Sequence, residues 1–354
     1  AYLKALGYKT AAVGKWHLGN FPLNRGFDRF TGFSQGSIDY YTLGAEFYSH
    51  FMQSPYVKNL PYNYDWYHED RLTMEEGYIT DLIGEHTIKY IDEFVAENKP
   101  FFIYVPFNAP HYGKSKWDLA PRENTINVAA DDPHKIEKVF HSLQAPSKYL
   151  DKFSDVEDIY DQFYFATISC MDDNVGKIYD HIDSLGLLEN TIVWFISDNG
   201  GSKKEHITAN NGILRGDKGT LYEGGIRIPS LICWKNHITE EQVIDQPCIN
   251  TDVLPTLLSI LNENEMLANH SIDGIDISPV IFENQNFERT LFWRHDWSNE
   301  YALMKGDYKI HNTELYNVKE DISEEKKLSI IMPETYQELK SLFDSISDSF
   351  TKYK

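Results

Sequence analysis

Lys15 and His17 stand two residues apart between Gly14 and Gly19, directly after the strand-like run Lys9 to Val13. In an extended segment that spacing puts a cation and an imidazole on one side of the chain. A loop with a solvated lysine and a packing histidine satisfies the same letters. His111 follows the apolar run Phe101 to Val105 through Pro106-Phe107-Asn108-Ala109-Pro110, where the prolines fix the loop. It reads either as a proton donor at the end of a strand or as a histidine with a structural partner. Asp198-Asn199-Gly200-Gly201 follows Thr191 to Ser197 and offers the hard oxygen donors that Ca²⁺ or Mg²⁺ takes. Asn-Gly is also the commonest two-residue hairpin turn, so a plain turn is the alternative. Lys218, in the glycine-bounded run Arg215-Gly216-Asp217-Lys218-Gly219, is placed to meet an anion, whereas Glu223 and Arg227 read as a structural ion pair.

Elements must carry these residues to one place. Ile79, Leu82, Ile83, Ile91, Phe94 and Val95 fall at helical spacing between Glu75 and Glu97, feeding what reads as a central strand at Phe101 to Val105. Ile168, Met171, Val175, Ile178, Ile182 and Leu185 repeat the pattern before Gly186, and Thr191 to Ser197 follows as a second buried strand. A further strand is expected from Ile226 to Trp234, and a helix capped by Thr251-Asp252 with Pro255 in its first turn. This alternation is that of an α/β domain, in which ligands gather at the carboxyl ends of strands. Each candidate residue above follows such a strand or lies in a nearby turn. Past about Gln285 the pieces shorten to strands and one polar helix from Glu334 to Ser347, so the expected division is 1–285 and a small α+β part, 286–354.

The 354 residues carry 33 Lys and Arg against 54 Asp and Glu, a net charge of −21. That field repels polyphosphate backbones and argues against nucleic-acid binding. With 42% hydrophobic and 25% charged residues the chain is an ordinary globular one, and no apolar run approaches the ~20 residues of a membrane span. Cys170, Cys233 and Cys248 lack metal-ligand spacing, and Cys170 reads as a core residue on a helix. The opening Ala1 to Gly7 reads as the end of a helix closed by a glycine, so a fragment of a longer chain is expected.

Taken together and in order, these segments resemble the type I sulfatases. Gly7-Tyr8-Lys9-Thr10 through Gly14-Lys15-Trp16-His17-Leu18-Gly19 is similar to the family's second signature, and the segments at His111, Asp198-Asn199 and Lys218 match its later motifs. The likeness also takes in Asp28, Ile38-Asp39-Tyr40-Tyr41, Met171-Asp172 to Gly176, Thr251 to Leu257, Leu291-Phe292-Trp293 and Leu315-Tyr316-Asn317, essentially the whole chain. It implies an alkaline-phosphatase-like mixed sheet flanked by helices and a sulfuric ester hydrolase. By the same resemblance Asp198 and Asn199 are a metal-ligand pair for one Ca²⁺, and Lys218 meets the sulfate and the nucleophile region. Lys15 and His17 hold the hydroxyl of a formylglycine nucleophile and assist sulfate release, and His111 binds sulfate and protonates the leaving alcohol.

The family makes its formylglycine from a Cys/Ser-x-Pro-x-Arg motif, and none of the three cysteines, nor any serine, sits in that setting. The family's early Asp-Asp pair is missing too, since Asp131-Asp132 and Asp172-Asp173 stand in other contexts. Both are expected upstream of Ala1. The substrate class implied is a sulfated glycan, with a small aryl sulfate second, and the implied location is periplasmic or extracellular. Tyr41, Tyr48, Tyr56, Tyr62, Tyr64, Trp66 and Tyr67 could stack on sugar rings or pack their own loop, and Arg294-His295-Asp296-Trp297 could close one side of a cleft. A phosphate or phosphonate ester hydrolase of the same fold, or an anion-binding fragment without activity, is the alternative.

Overall fold

The computed structural model describes residues 1–38, 40–42, 65–113, 143–203, 209–239, 241–268, 270–295 and 297–351. The expected roles of Asp39, Asp131, Asp132 and Asp296, and of the tyrosines at 48, 56, 62 and 64, lie outside those residues. Two compact units are present, one built on residues 1–187 and the other on residues 188–203 and 209–354.

The first unit is organised by β1 (Lys9–Lys15), whose five central residues are all buried. That is the signature of a parallel strand covered on both faces. It pairs in parallel with β2 (Arg29–Phe33) on one side and β7 (Phe101–Tyr104) on the other. The antiparallel two-residue strands β4 (Tyr67–His68) and β5 (Arg71–Leu72) extend the sheet beyond β2, in the order β5-β4-β2-β1-β7. The short opening helix α1 (Tyr2–Ala5) leads into β1. Alternation along β1 sends Ala11 and Val13 into a cluster with Ile79, Ile83 and Phe94 of α2 (Ile79–Ala96), while Ala12 joins Trp16 and Phe30 on the other face. A small pair, β3 (Tyr41–Thr42) with β6 (Gly77–Tyr78), precedes α2.

Behind α2 lies α4 (Ile159–Ser184), reached through the short α3 (Ser147–Leu150) and capped by Asp158, whose carboxylate accepts from the Tyr160 N–H at 2.8 Å. Cys170 is buried on α4 as its helical spacing implies, and Asp172 and Asp173 face solvent. One expectation needs correcting: β7 is an edge strand among the described residues, and Tyr104 is 41% exposed, so its apolar run does not sit at the sheet's centre.

In the second unit β8 (Val193–Ile196) pairs antiparallel with β9 (Ser230–Cys233), and all four β8 residues are half-buried, not buried. β9 starts later than the apolar letters suggest because α5 (Glu223–Ile226) takes the first of them into a helical turn before Pro229. Helices α6 (Val253–Ile260) and α7 (Ser278–Glu283) follow, with Asp252 at the head of α6 gripped by Arg289 at 2.6 and 3.0 Å. The antiparallel sheet β10 (Thr290–His295), β11 (Glu300–Lys305), β12 (Tyr308–His311) and β13 (Glu314–Asn317) runs in sequence order, and α8 (Pro333–Thr351) covers one face through Leu339 and Phe343.

Lys309 of β12 is fully buried between Glu223 at 2.8 Å and Glu324 at 3.0 Å, which pins the segment holding α5 to this sheet. Burial pushes the Glu324 carboxyl above its ordinary value even with Lys309 beside it. Lys309→Ala leaves Glu324 without its cation and Glu223 with Arg227 at 3.7 Å alone, and the expected loss in chemical denaturation is about 3–5 kcal/mol. A loss of about 1 kcal/mol or less, as for an exposed pair, would contradict that role.

Candidate active site

In the first unit Lys15 ends β1 and its N–H donates to the Pro106 carbonyl at 2.8 Å. That bond ties the end of β1 to the start of the loop bearing His111, so Lys15 and His111 leave the sheet at the carboxyl ends of adjoining parallel strands. Gly14 has φ 125° and lies so close to Pro106 that a Cβ would overlap the Pro106 carbonyl oxygen. His17 is an exposed non-glycine residue at φ 45°, its N–H bonded to the Ser34 carbonyl at 3.1 Å and its ring lying against Gly36.

Asp65, which the letters alone do not single out, holds the backbone under His17. Its carboxylate accepts from the Ser34 and Gln35 N–H groups at 2.9 and 2.7 Å and from the Ser34 hydroxyl at 2.8 Å. Burial still raises its pKa, those three bonds notwithstanding. Tyr40 donates to the His111 carbonyl at 2.7 Å, and burial holds its phenol well above its ordinary pKa, so it remains a donor. The His111 ring stacks on Tyr112, and Nδ1 lies 2.9 Å from the Tyr112 carbonyl. With Nδ1–H donating there, the ring is held in the tautomer that carries its basic lone pair on Nε2.

The second unit brings the remaining residues together. The Asp198–Gly201 segment leaves the carboxyl end of β8, and the Lys218 N–H bonds to the Gly201 carbonyl at 3.1 Å. Asn211 links the two segments: Oδ1 accepts from the Gly201 N–H at 2.8 Å, while Nδ2 donates to the carbonyls of Gly201 at 3.0 Å and Gly216 at 3.2 Å. Within the sequence Asn210-Asn211-Gly212 it reads only as a turn. The Asn199-Gly200-Gly201 run is therefore no hairpin turn, since β8 and β9 are joined through thirty-odd residues. Gly200 is required by proximity, because a Cβ there would overlap the Gly224 carbonyl oxygen.

Asp198 is exposed, and no described residue hydrogen-bonds its carboxylate. Asn199 Nδ2 donates to the Gly200 carbonyl at 2.9 Å, which leaves Oδ1 as a free acceptor. A carboxylate and an amide oxygen side by side fit part of the all-oxygen shell of Ca²⁺. The buried Cys170 fits no nucleophile: burial pushes its thiol up to about 12.

Arg294 and His295 meet different partners. They alternate on β10, and Arg294 shares the α8 side with Phe292, donating to the Ser347 hydroxyl at 2.8 Å. His295 lies 3.8 Å from Glu300 and edge-on to the exposed Trp297. Glu300, also unnoticed in the sequence, accepts from the Leu221 N–H at 2.7 Å and from His311 at 2.6 Å, so it anchors the turn that carries Lys218. Glu223 and Arg227 do pair, at 3.7 Å, although Lys309 is the nearer partner of Glu223.

Burial lowers the His311 pKa, and the Glu300 carboxylate offsets this only in part. A histidine kept neutral by the fold contributes stability above its unfolded pKa of about 6.5 that is lost as pH falls through the folded value. Unfolding free energy is expected to rise with pH just below about 6.5, and His311→Asn to flatten that slope; superimposable slopes would remove the contribution. Gly200→Ala is expected to cost about 1–3 kcal/mol, seen as a lower Tm, because backbone must move to admit the methyl. An unchanged Tm would show that the loop has room to spare.

Set beside known proteins, the chain matches the sequence profile of the family described as Sulfatase over residues 1–263. It is 30% identical over 289 residues to arylsulfatase J of Mus musculus, covering 79% of this chain and 41% of that protein. With N-acetylgalactosamine-6-sulfatase of Mus musculus it shares 27% over 323 residues, covering 87% of this chain and 53% of that one. The crystal structure of Ps i-CgsB superposes with a TM-score of 0.80 at 25% identity, over 98% of this chain and 72% of that one. The chain spans about half the length of the curated relatives it matches. The expected alkaline-phosphatase-like architecture, a mixed sheet flanked by helices with a small C-terminal sheet, is thus borne out, and the chain belongs to the sulfatase family.

Proposed function

We propose that the protein hydrolyses sulfate esters and releases inorganic sulfate, with sulfated carbohydrate as its substrate class. The observation that carries this is the bond from the Lys15 N–H to the Pro106 carbonyl, which sets Lys15 and the His111 loop side by side at the carboxyl ends of β1 and β7. A cation and a proton-carrying imidazole in that position suit an ester whose breakdown develops charge on its peripheral and leaving oxygens.

In this reading Lys15 and Lys218 neutralise charge on the sulfuryl oxygens, and His111 Nε2 delivers a proton to the departing alcohol oxygen. His17 assists release of sulfate. Asp198 and Asn199 would hold a divalent cation, which supplies Lewis-acid stabilisation of the sulfate oxygens when bound. The catalytic groups belong to residues 1–285, and residues 286–354 contribute His295, with Trp297, to recognition. The Cys/Ser-x-Pro-x-Arg motif from which the family makes its nucleophile does not occur in these 354 residues. Carbohydrate is favoured because a relative is named for an N-acetylgalactosamine 6-sulfate and the matched crystal structure has also been solved with k-i-k-neocarrahexaose. A sulfated polymer lies outside cells, which places the enzyme in a periplasm or the exterior. Among the described residues no helix is long and apolar enough to cross a membrane.

His111→Ala in the full-length protein is expected to slow hydrolysis of alkyl sulfates by about 10²–10⁴-fold. Nitrophenyl sulfate, whose leaving group needs little protonation, should lose far less. Equal losses on both would exclude His111 as the proton donor.

A further inference from the structure

We infer that His68, Glu75 and His86 form a binding site for a divalent transition-metal ion of the zinc type, on residues other than those assigned to the sulfate reaction. The three come from separate elements of the first unit: His68 from β4, Glu75 from the segment between β5 and β6, and His86 from α2. His68 Nε2 lies 2.8 Å from Glu75 Oε2, and His86 Nε2 lies 2.9 Å from both Glu75 oxygens. All the donor atoms fall within 4.8 Å of one another, and the two imidazoles meet edge to face at 4.7 Å.

Donors held about 2.0–2.1 Å from one ion lie about 2.9 Å apart at a right angle and about 3.4 Å apart in a tetrahedron. The histidine-to-carboxylate spacings of 2.8 and 2.9 Å therefore need to open by about 0.6 Å or less. Two imidazole nitrogens and one carboxylate are the donor set that zinc accepts, whereas calcium prefers oxygen alone. The Trp66 indole N–H donates to Glu75 Oε2 at 2.9 Å and, being 1% exposed, fixes the carboxylate from behind, as an outer partner of a metal ligand does.

Exposure is graded across the trio. His86 is 9% exposed, while Glu75 and His68 are 28% and 30% exposed, so one side is anchored and the other open to solvent that can complete the coordination. A net charge of −21 favours accumulation of cations around the chain. Binding takes the place of the imidazole-to-carboxylate hydrogen bonds: each ring ligates as the neutral Nδ1–H tautomer with the Nε2 lone pair on the ion, so a neutral ring shifts its proton from Nε2 to Nδ1 and an imidazolium releases one proton to solvent.

The test uses the full-length protein, stripped with a chelator and titrated with Zn²⁺ against a chromophoric competitor, and with Co²⁺ for its visible absorption. A zinc equivalent is expected that Ca²⁺ does not displace and that raises Tm. His68→Ala, at a half-exposed position, and Glu75→Gln should each lose it. Trp66→Phe should weaken it about 10–100-fold, the range for an outer partner. Failure of zinc to compete with the chelator, or affinity unchanged in His68→Ala and Glu75→Gln, would overturn the proposal and leave the trio as a hydrogen-bonded cluster.

Discussion

Backbone packed directly on backbone is the constraint from which the arrangement of the candidate residues follows. At Gly14 the strand that delivers Lys15 lies against the Pro106 carbonyl, and at Gly200 the segment after Asp198 and Asn199 lies against the Gly224 carbonyl. Neither position admits a side chain. Where no side chain intervenes, hydrogen bonds such as Lys15 N–H to Pro106 and Lys218 N–H to Gly201 become short enough to lock neighbouring loops in register. Each unit thus holds its own set of functional groups by main-chain contact and not by the reach of flexible side chains.

Charge follows the same economy. A chain with 54 acidic and 33 basic residues has few cations left over once its buried carboxylates are paired. Lys309 is spent on two buried carboxylates, and Arg289 on Asp252. The first pins the segment that follows the Lys218 turn and the second the head of α6, and the cost of desolvating them is recovered only while both partners are present. The half-buried Lys218, for which no described carboxylate serves as a partner, remains available for a ligand.

Much of this was legible in the letters, for a physical reason in each case. The strand-like run of β1, the helical spacing of α2 and α4 and the short strand-like pieces at β10, β11 and β12 are signals set by local geometry. The strand-end positions of Lys15, His111 and Asp198 followed from the same reading. Asp65, Asn211 and Glu300 were not legible, because each works by accepting or donating to backbone distant in sequence: Asp65 to Ser34, Asn211 to Gly201, and Glu300 to Leu221. Nothing in an isolated Asp, Asn or Glu announces such a partner. The edge position of β7 was hidden for another reason: an apolar run reports that a strand can be buried, not how many neighbours it has.

The central claim is that these groups serve a sulfate ester. The most direct measurement offers the full-length protein the 6-sulfate and the 6-phosphate of one sugar and quantifies the inorganic anion released, before and after chelation of divalent cations. The account predicts release of sulfate that stops when the cation is removed. Preferential release of phosphate, or sulfate release indifferent to chelation, would contradict it.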